Sequence, residues 1–204
     1  TSELAEKNVL LERYSLQLEE ATVQVMSSLQ AALEEKDMYT AGHTRRVTQY
    51  SMLLGREITL TPEDMMVLER ASHFHDIGKL VIDLSCIQKP GKLTAEEWAL
   101  IKKHPEVGAN IIQPLKFTER ERAIILHHHE RLDGHGYPEG IGGDDLDTLT
   151  RIITIADSYD AMTSRRNYRR NLTTMEAVAE MRRCAGTQFD PELVEVFIGV
   201  IFAN

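Results

Sequence analysis

The sequence predicts an all-α fold, on three observations. Helix-start signals recur along the chain, each with a Thr followed three residues later by an acid. No segment keeps a period-two alternation of apolar and polar residues, the mark of a half-buried strand. The opening segment repeats apolar residues every seven positions, at Leu4, Leu11, Leu18, Val25 and Ala32, the spacing of a coiled-coil seam.

Taken in order, residues 1–36 read as one long amphipathic helix. Tyr14 and Ala21 fill the second seam position, which degrades to Lys7 and Ser28. We read it as a dimerising or signalling helix leading back to an upstream sensor or receiver domain, separate from a domain at 37–204. In TPED (61–64), Thr61 caps a helix, Pro62 takes its first position and Asp64 lies three after the cap. TAEE (94–97), TERE (118–121) and TTME (173–176) are capping boxes, and Asp190-Pro191 opens the last helix. Gly78 follows one helix, while Gly55, Gly91 and Gly134 fall in or near breaks. The β-branched run IITI (152–155) is assigned to helix because Asp157, Tyr159, Asp160 and Met162 continue with helical spacing.

Composition narrows the function. A hydrophobic fraction of 42% suits a folded domain, and a formal charge of −9 opposes general nucleic-acid binding. No apolar run has membrane-spanning length and no signal segment opens the chain. Thr1 stands where an initiator Met would, so a fragment of a longer chain is expected. Cys86 and Cys184 are too few for a disulfide framework or a thiolate metal site, which fits a cytoplasmic setting. Against the acidic background, SRRNYRR (164–170) concentrates arginines suited to an anion.

Histidines and aspartates carry the chemistry. His43, the pair His75-Asp76, His104, the pair His128-His129, and Asp157 lie on separate predicted helices or helix edges. Gaps of about 25–30 residues do not match a zinc-finger knuckle and suit a bundle whose helices aim ligands into one interior. His75 continues the line of Leu68 and Ala71 on a core-facing stripe. A buried Asp76 beside it calls for positive charge, which two cations bridged by the carboxylate would supply. In HHHERLDGHGYPEG (127–140), His128 continues the line of Ile124 and His129 that of Ile125, while His127 is turned to the flank. Glu130 is the expected partner for the second ring nitrogen of a ligand. His73 and His135 are expected bystanders.

In this order the motifs resemble the HD-GYP family of HD phosphohydrolases. They are DMYTAGHTRRV (37–47), HDIGK (75–79), KPGKLTAEEW (89–98), HPEVG (104–108), HHERLDGHGYP (128–138), RIITIADSYDAMTS (151–164) and GTQFDP (186–191). The resemblance implies a multi-helix HD-type phosphohydrolase bundle acting as a cyclic di-GMP phosphodiesterase, with pGpG as product and, in many members, GMP after it. It implies His43, His75, Asp76, His104, His128, His129 and Asp157 as metal ligands, and Lys79 on the scissile phosphate. Asp160, Arg166 and Arg169 fall on substrate-binding positions. Gly136-Tyr137-Pro138 is the signature loop, implicated in contact with diguanylate cyclase domains. Some members add a glutamate ligand where this chain has Tyr39, so two ions are expected. Asn167 stands where a proline is frequent.

A phosphodiester repels hydroxide. Two bound cations and Lys79 would neutralise it, with Asp76 bridging and an activated water attacking. Nitrogen and carboxylate donors suit iron, manganese, zinc or nickel, and the resemblance favours iron or manganese. Two other readings stay open: an HD phosphohydrolase for another nucleotide, and a module that binds the dinucleotide or a cyclase with little turnover.

Overall fold

The computed structural model describes residues 2–36, 42–83, 91, 93–115, 117–164 and 171–203. Tyr39, Cys86, Arg166, Asn167 and Arg169 lie outside the described residues, so the expectations placed on them have no structural counterpart here. The helices are α1 (Ser2–Lys36), α2 (His43–Glu57), α3 (Pro62–Phe74), α4 (Ala95–Ile101), α5 (His104–Ile112), α6 (Glu119–His127), α7 (Thr148–Thr163), α8 (Thr174–Cys184) and α9 (Pro191–Ala203). Two 3-10 turns, Ile77–Leu80 and Gly143–Asp145, complete the set, and no strand occurs among the described residues.

Helix starts follow the local chemistry of the sequence. Thr61 Oγ1 accepts from the Asp64 amide at 3.1 Å, with Pro62 at the first turn. Thr94/Glu97, Thr118/Glu121 and Thr173/Glu176 form reciprocal capping boxes. Asp190 Oδ1 accepts from the Glu192 and Leu193 amides at 3.0 and 3.2 Å. Each satisfies amides that a first turn leaves orphaned, worth about 1 kcal/mol apiece.

Helix α7 runs through the centre. Leu149, Ile152, Ile153, Ile155 and Ala156 are all sealed from solvent, so the β-branched run of this helix packs into the core. Helix α2 lies on α3 and α7, α3 on α6, and α9 on α2 and α8. Tyr50 of α2, Tyr159 of α7 and Phe197 of α9 meet edge to face, with centroids 5.2 to 6.0 Å apart. That aromatic junction fixes α2 against α7 and brings the start of α2 beside Asp157 and Asp160.

The 3-10 turn Ile77–Leu80 packs on α5. Its Gly78 is demanded by this approach: a Cβ there would sit 2.0 Å from the His104 carbonyl oxygen and 2.7 Å from the Gly108 amide. The sequence treats Gly78 as a helix stop, whereas the structure uses it as a contact between backbones. Helix α1 exposes Leu4, Leu11, Tyr14, Leu18 and Val25, and Leu29 packs partly against the core. No helix among the described residues is long and apolar enough to cross a membrane.

Candidate metal centre

The ligand residues expected from sequence converge, though by a different device. His75, Asp76, His104, His128 and His129 sit just past the ends of helices, while His43 opens α2 and Asp157 lies within α7. Helix α3 finishes at Phe74 with His75 as its cap, α4 finishes at Ile101 three residues before His104, and α6 finishes at His127 with His128 as its cap. In each case Nδ1 lies against the carbonyl three residues back: His75 on Ser72 at 2.7 Å, His104 on Ile101 at 2.8 Å, His128 on Ile125 at 2.7 Å. A carbonyl oxygen only accepts, so Nδ1 carries the hydrogen in all three rings. In the neutral ring Nε2 then presents a lone pair. The last-turn carbonyls of α3, α4 and α6 also carry the partial negative charge of helix C-termini, which favours a cation nearby.

Asp76 occupies the middle, almost wholly buried. Its Oδ1 is 3.3 Å from His104 Nε2 and 4.0 Å from His128 Nε2. Its Oδ2 faces the other way, 2.5 Å from Lys79 Nζ, 3.5 Å from His75 Nε2 and 3.6 Å from His43 Nε2. The carboxylate thus straddles two groups able to hold a metal ion: Asp76, His104, His128 and His129 on one side, and His43, His75 and Asp157 on the other. His43 Nε2 reaches Asp157 Oδ1 at 3.3 Å.

The donor set fits divalent cations. His75 Nε2 is buried without a hydrogen-bond partner, an expensive state for a polar atom unless something electrophilic meets it. His104 Nε2 and His128 Nε2 face each other at 3.1 Å; with both rings neutral, two lone pairs oppose one another and a shared cation relieves the repulsion. Seven nitrogen and carboxylate donors without a thiolate match borderline or hard first-row ions.

Electrostatics agree with that fit at His75, His128 and His129, while at His43 the carboxylates favour the proton that a cation would displace. Burial drives His128 well below the ordinary imidazole value and His129 down to about 3, and the neighbouring histidines push the same way. Burial also lowers His75. These rings stay neutral, as ligands must. Burial works against a charged Asp76, but Lys79 and the surrounding histidines hold its carboxyl well below the usual range. For His43, burial opposes the imidazolium, yet bonds to Asp157, Asp160 and Asp76 outweigh it and raise the ring well above its ordinary value.

Other sequence expectations land elsewhere. Glu130 does not orient a ligand ring. Its Oε1 accepts from the Glu139 and Gly140 amides at 2.7 and 2.9 Å, because backbone carbonyls already take the Nδ1 protons. Glu130 instead ties down the loop carrying Gly136-Tyr137-Pro138. A Cβ on Gly136 would lie 2.4 Å from Glu130 Cα and 2.6 Å from the His129 carbonyl oxygen, so only glycine allows this loop so close. Tyr137 consequently stacks on His129, centroids 4.9 Å apart, with Lys102 over its ring at 5.2 Å.

Asp160, placed on the substrate by the resemblance, is buried with its oxygens on His43 Nδ1 and Arg46. His127 lies at the flank, bonded to Glu139 at 3.0 Å, His73 bonds the Glu69 carbonyl, and His135 is exposed. Arg46 and Lys102 are not singled out by sequence. The only signal available is their position, three after His43 and two before His104.

Comparison with known proteins puts the motif series in context. The HD domain family matches residues 27–193. A 3'3'-cGAMP-specific phosphodiesterase of Vibrio cholerae is 37% identical over 82% of this chain and 36% of its own length. The cyclic di-GMP phosphodiesterase response regulator RpfG of Xanthomonas campestris is 34% identical, over 89% of this chain and 49% of its length. The chain therefore spans half or less of these curated relatives. Among solved structures, Bd1817, a HDG"Y"P protein from Bdellovibrio bacteriovorus, superposes with a TM-score of 0.66 over 78% of this chain and 51% of that one, at 24% identity. With motif order, helical architecture and these relatives in agreement, the chain belongs to the HD-domain family and, within it, to the HD-GYP group.

Proposed function

We propose that this domain is a metal-dependent phosphodiesterase that opens cyclic di-GMP to pGpG and carries it on to GMP. The observation behind this reading is the divided Asp76 carboxylate, with one oxygen toward each of two ligand groups. Two ions, iron or manganese, would be held by His43, His75 and Asp157 on one side and by His104, His128 and His129 on the other, with Asp76 between. Bound divalent cations supply Lewis acidity toward a phosphoryl oxygen and a hydroxide nucleophile at neutral pH. Lys79, whose Nζ is 2.5 Å from Asp76 Oδ2, neutralises a non-bridging phosphate oxygen as charge develops. Tyr137, stacked on His129 with Lys102 over its ring, borders the site. Arg166 and Arg169 bind phosphate or guanine in this reading.

The resemblance supports a diguanylate cyclase partner at the Gly136-Tyr137-Pro138 loop. The exposed Leu4, Leu11, Leu18 and Val25 of α1 support pairing with a second copy. The Vibrio cholerae relative favours a second reading, in which 3'3'-cGAMP is the better substrate.

Hydrolysis of both dinucleotides by manganese- or iron-loaded protein, with chromatography of the products, decides between them. Release of pGpG and GMP from cyclic di-GMP at the higher kcat/KM is expected. Faster cleavage of 3'3'-cGAMP transfers the assignment to the second reading, and no turnover of either defeats both.

A further inference from the structure

The residues holding His43 in place extend beyond the ligands themselves. Asp160 Oδ2 accepts from His43 Nδ1 at 2.7 Å, inside a site where the Asp160 side chain is 2% exposed. Arg46 grips the same carboxylate with two nitrogens: Nε to Oδ1 at 2.5 Å and Nη2 to Oδ2 at 3.0 Å. Nη2 also donates to Ser164 Oγ at 2.9 Å, at the C-terminal cap of α7. One guanidinium thus joins the first turn of α2 to two points one turn apart on α7.

We infer that Arg46 is a positioning residue for the His43 side of the metal centre. His75, His104 and His128 have their rings fixed by main-chain carbonyls of the preceding helical turn. His43 opens α2 directly after Gly42, and its Nδ1 bonds a side chain on another helix instead. That carboxylate has rotational freedom unless a fork-shaped donor occupies both oxygens. Arg46 supplies the fork and Ser164 holds the far end of it. With Asp160 fixed, Nε2 of His43 stays directed at Asp76 and Asp157, 3.6 and 3.3 Å away. Arg46 is partly open to solvent, with 34% of its side chain exposed, so its replacement opens no cavity in the core.

The inference rests on the reading of the centre as a two-ion site but not on the substrate, so the test reads metal binding rather than hydrolysis. Mn2+ titration of chelator-stripped protein, monitored by calorimetry and by the paramagnetic resonance of free Mn2+, would compare wild type, Arg46→Lys, Arg46→Ala and Ser164→Ala. Outer residues that orient ligands typically change metal affinity by about 10- to 100-fold. We expect that loss in Arg46→Ala for one ion, with the other retained. Arg46→Lys, able to satisfy one oxygen at a time, falls between, and Ser164→Ala shows a smaller loss at the same ion. Unchanged affinity for both ions in Arg46→Ala overturns the inference. So does equal weakening of both ions in step with a lower melting temperature of the stripped protein. If Arg46→Ala does not fold, a Lys variant that binds both ions as tightly as wild type overturns it. Failure to cleave cyclic dinucleotides, with the metal pattern intact, would count against the proposed activity and leave the role of Arg46 standing.

Discussion

Substitution of Gly78 by Ala probes how rigidly the fold sets the metal centre. The added Cβ would lie 2.0 Å from the His104 carbonyl oxygen, where ordinary contact begins near 3.4 Å, so one backbone must retreat by about 1.4 Å. Neither neighbour is a flexible side-chain end: the other close atoms are the Gly108 amide nitrogen at 2.7 Å and the His104 carbonyl carbon at 2.9 Å. Overpacking of this kind costs about 1–3 kcal/mol. For a domain of this size that corresponds to a fall of roughly 2–12 °C in melting temperature. The displaced backbone carries His104, whose Nε2 stands 3.3 Å from Asp76 Oδ1. Affinity should therefore drop for the ion assigned to Asp76, His104, His128 and His129, and turnover by about 100-fold, the usual penalty for a 1 Å misplacement. Gly199→Ala is the control, since its Cβ meets nothing within 4 Å and alanine favours a helix interior. Differential scanning calorimetry of stripped and Mn2+-loaded protein reads both effects. A Gly78→Ala variant that melts with wild type and binds both ions equally well would refute the claim that this contact is unyielding.

Three further outcomes are expected. Asp76→Ala should abolish the rise in melting temperature on adding excess Mn2+, which for an ion at 100 times its Kd is worth about 2.7 kcal/mol; a full rise in the variant contradicts the bridging role. The stripped protein should lose stability as pH falls from about 6 to 5. Burial holds His75, His128 and His129 below their ordinary value, so below about pH 6.5 the unfolded chain binds protons that the native chain refuses, at most about 1.4 kcal/mol per pH unit for each ring. His43, raised by its carboxylates, holds its proton in the native chain before the unfolded chain does, so it adds stability as pH falls toward about 6.5 and no slope well below that, and the depressed Asp76 and Asp157 act only below about pH 4. A melting temperature flat or rising toward pH 5 would contradict this. Glu130→Ala should destabilise the domain by about 1–3 kcal/mol by stranding two loop amides, whereas Glu130→Gln keeps the Oε1 acceptor and most of the stability; equal loss in both, by chemical denaturation, would argue against the loop anchor.

Much of the architecture can be read from residues acting locally. Thr61, Thr94, Thr118, Thr173 and Asp190 cap helices through neighbours three residues or fewer away, so their signals survive in the one-dimensional string. His75, His128 and His129 stand out because polar groups continue apolar lines, and Asp76 because it adjoins one of them. The same reasoning leaves open whether they lie on helices or at helix edges, since where α3 and α6 stop depends on packing rather than spacing. Glu130 misleads for a similar reason: it adjoins His129 in sequence, but its carboxylate turns to amides nine and ten residues on. Arg46 is hidden because its partner Asp160 is far along the chain and meets it only through the junction of α2 with α7.

The back-bonded rings of His75, His104 and His128 inherit their pose from main chain. Side chains around them can therefore change without re-aiming a donor. Chain length cannot: one residue inserted into the last turn of α3, α4 or α6 swings the downstream residues by about 100° and sends an imidazole out of the centre. The pose of these three rings is thus tolerant of altered letters and intolerant of altered counting, which tells a protein engineer to graft new loops before these helices begin and never within their closing turns.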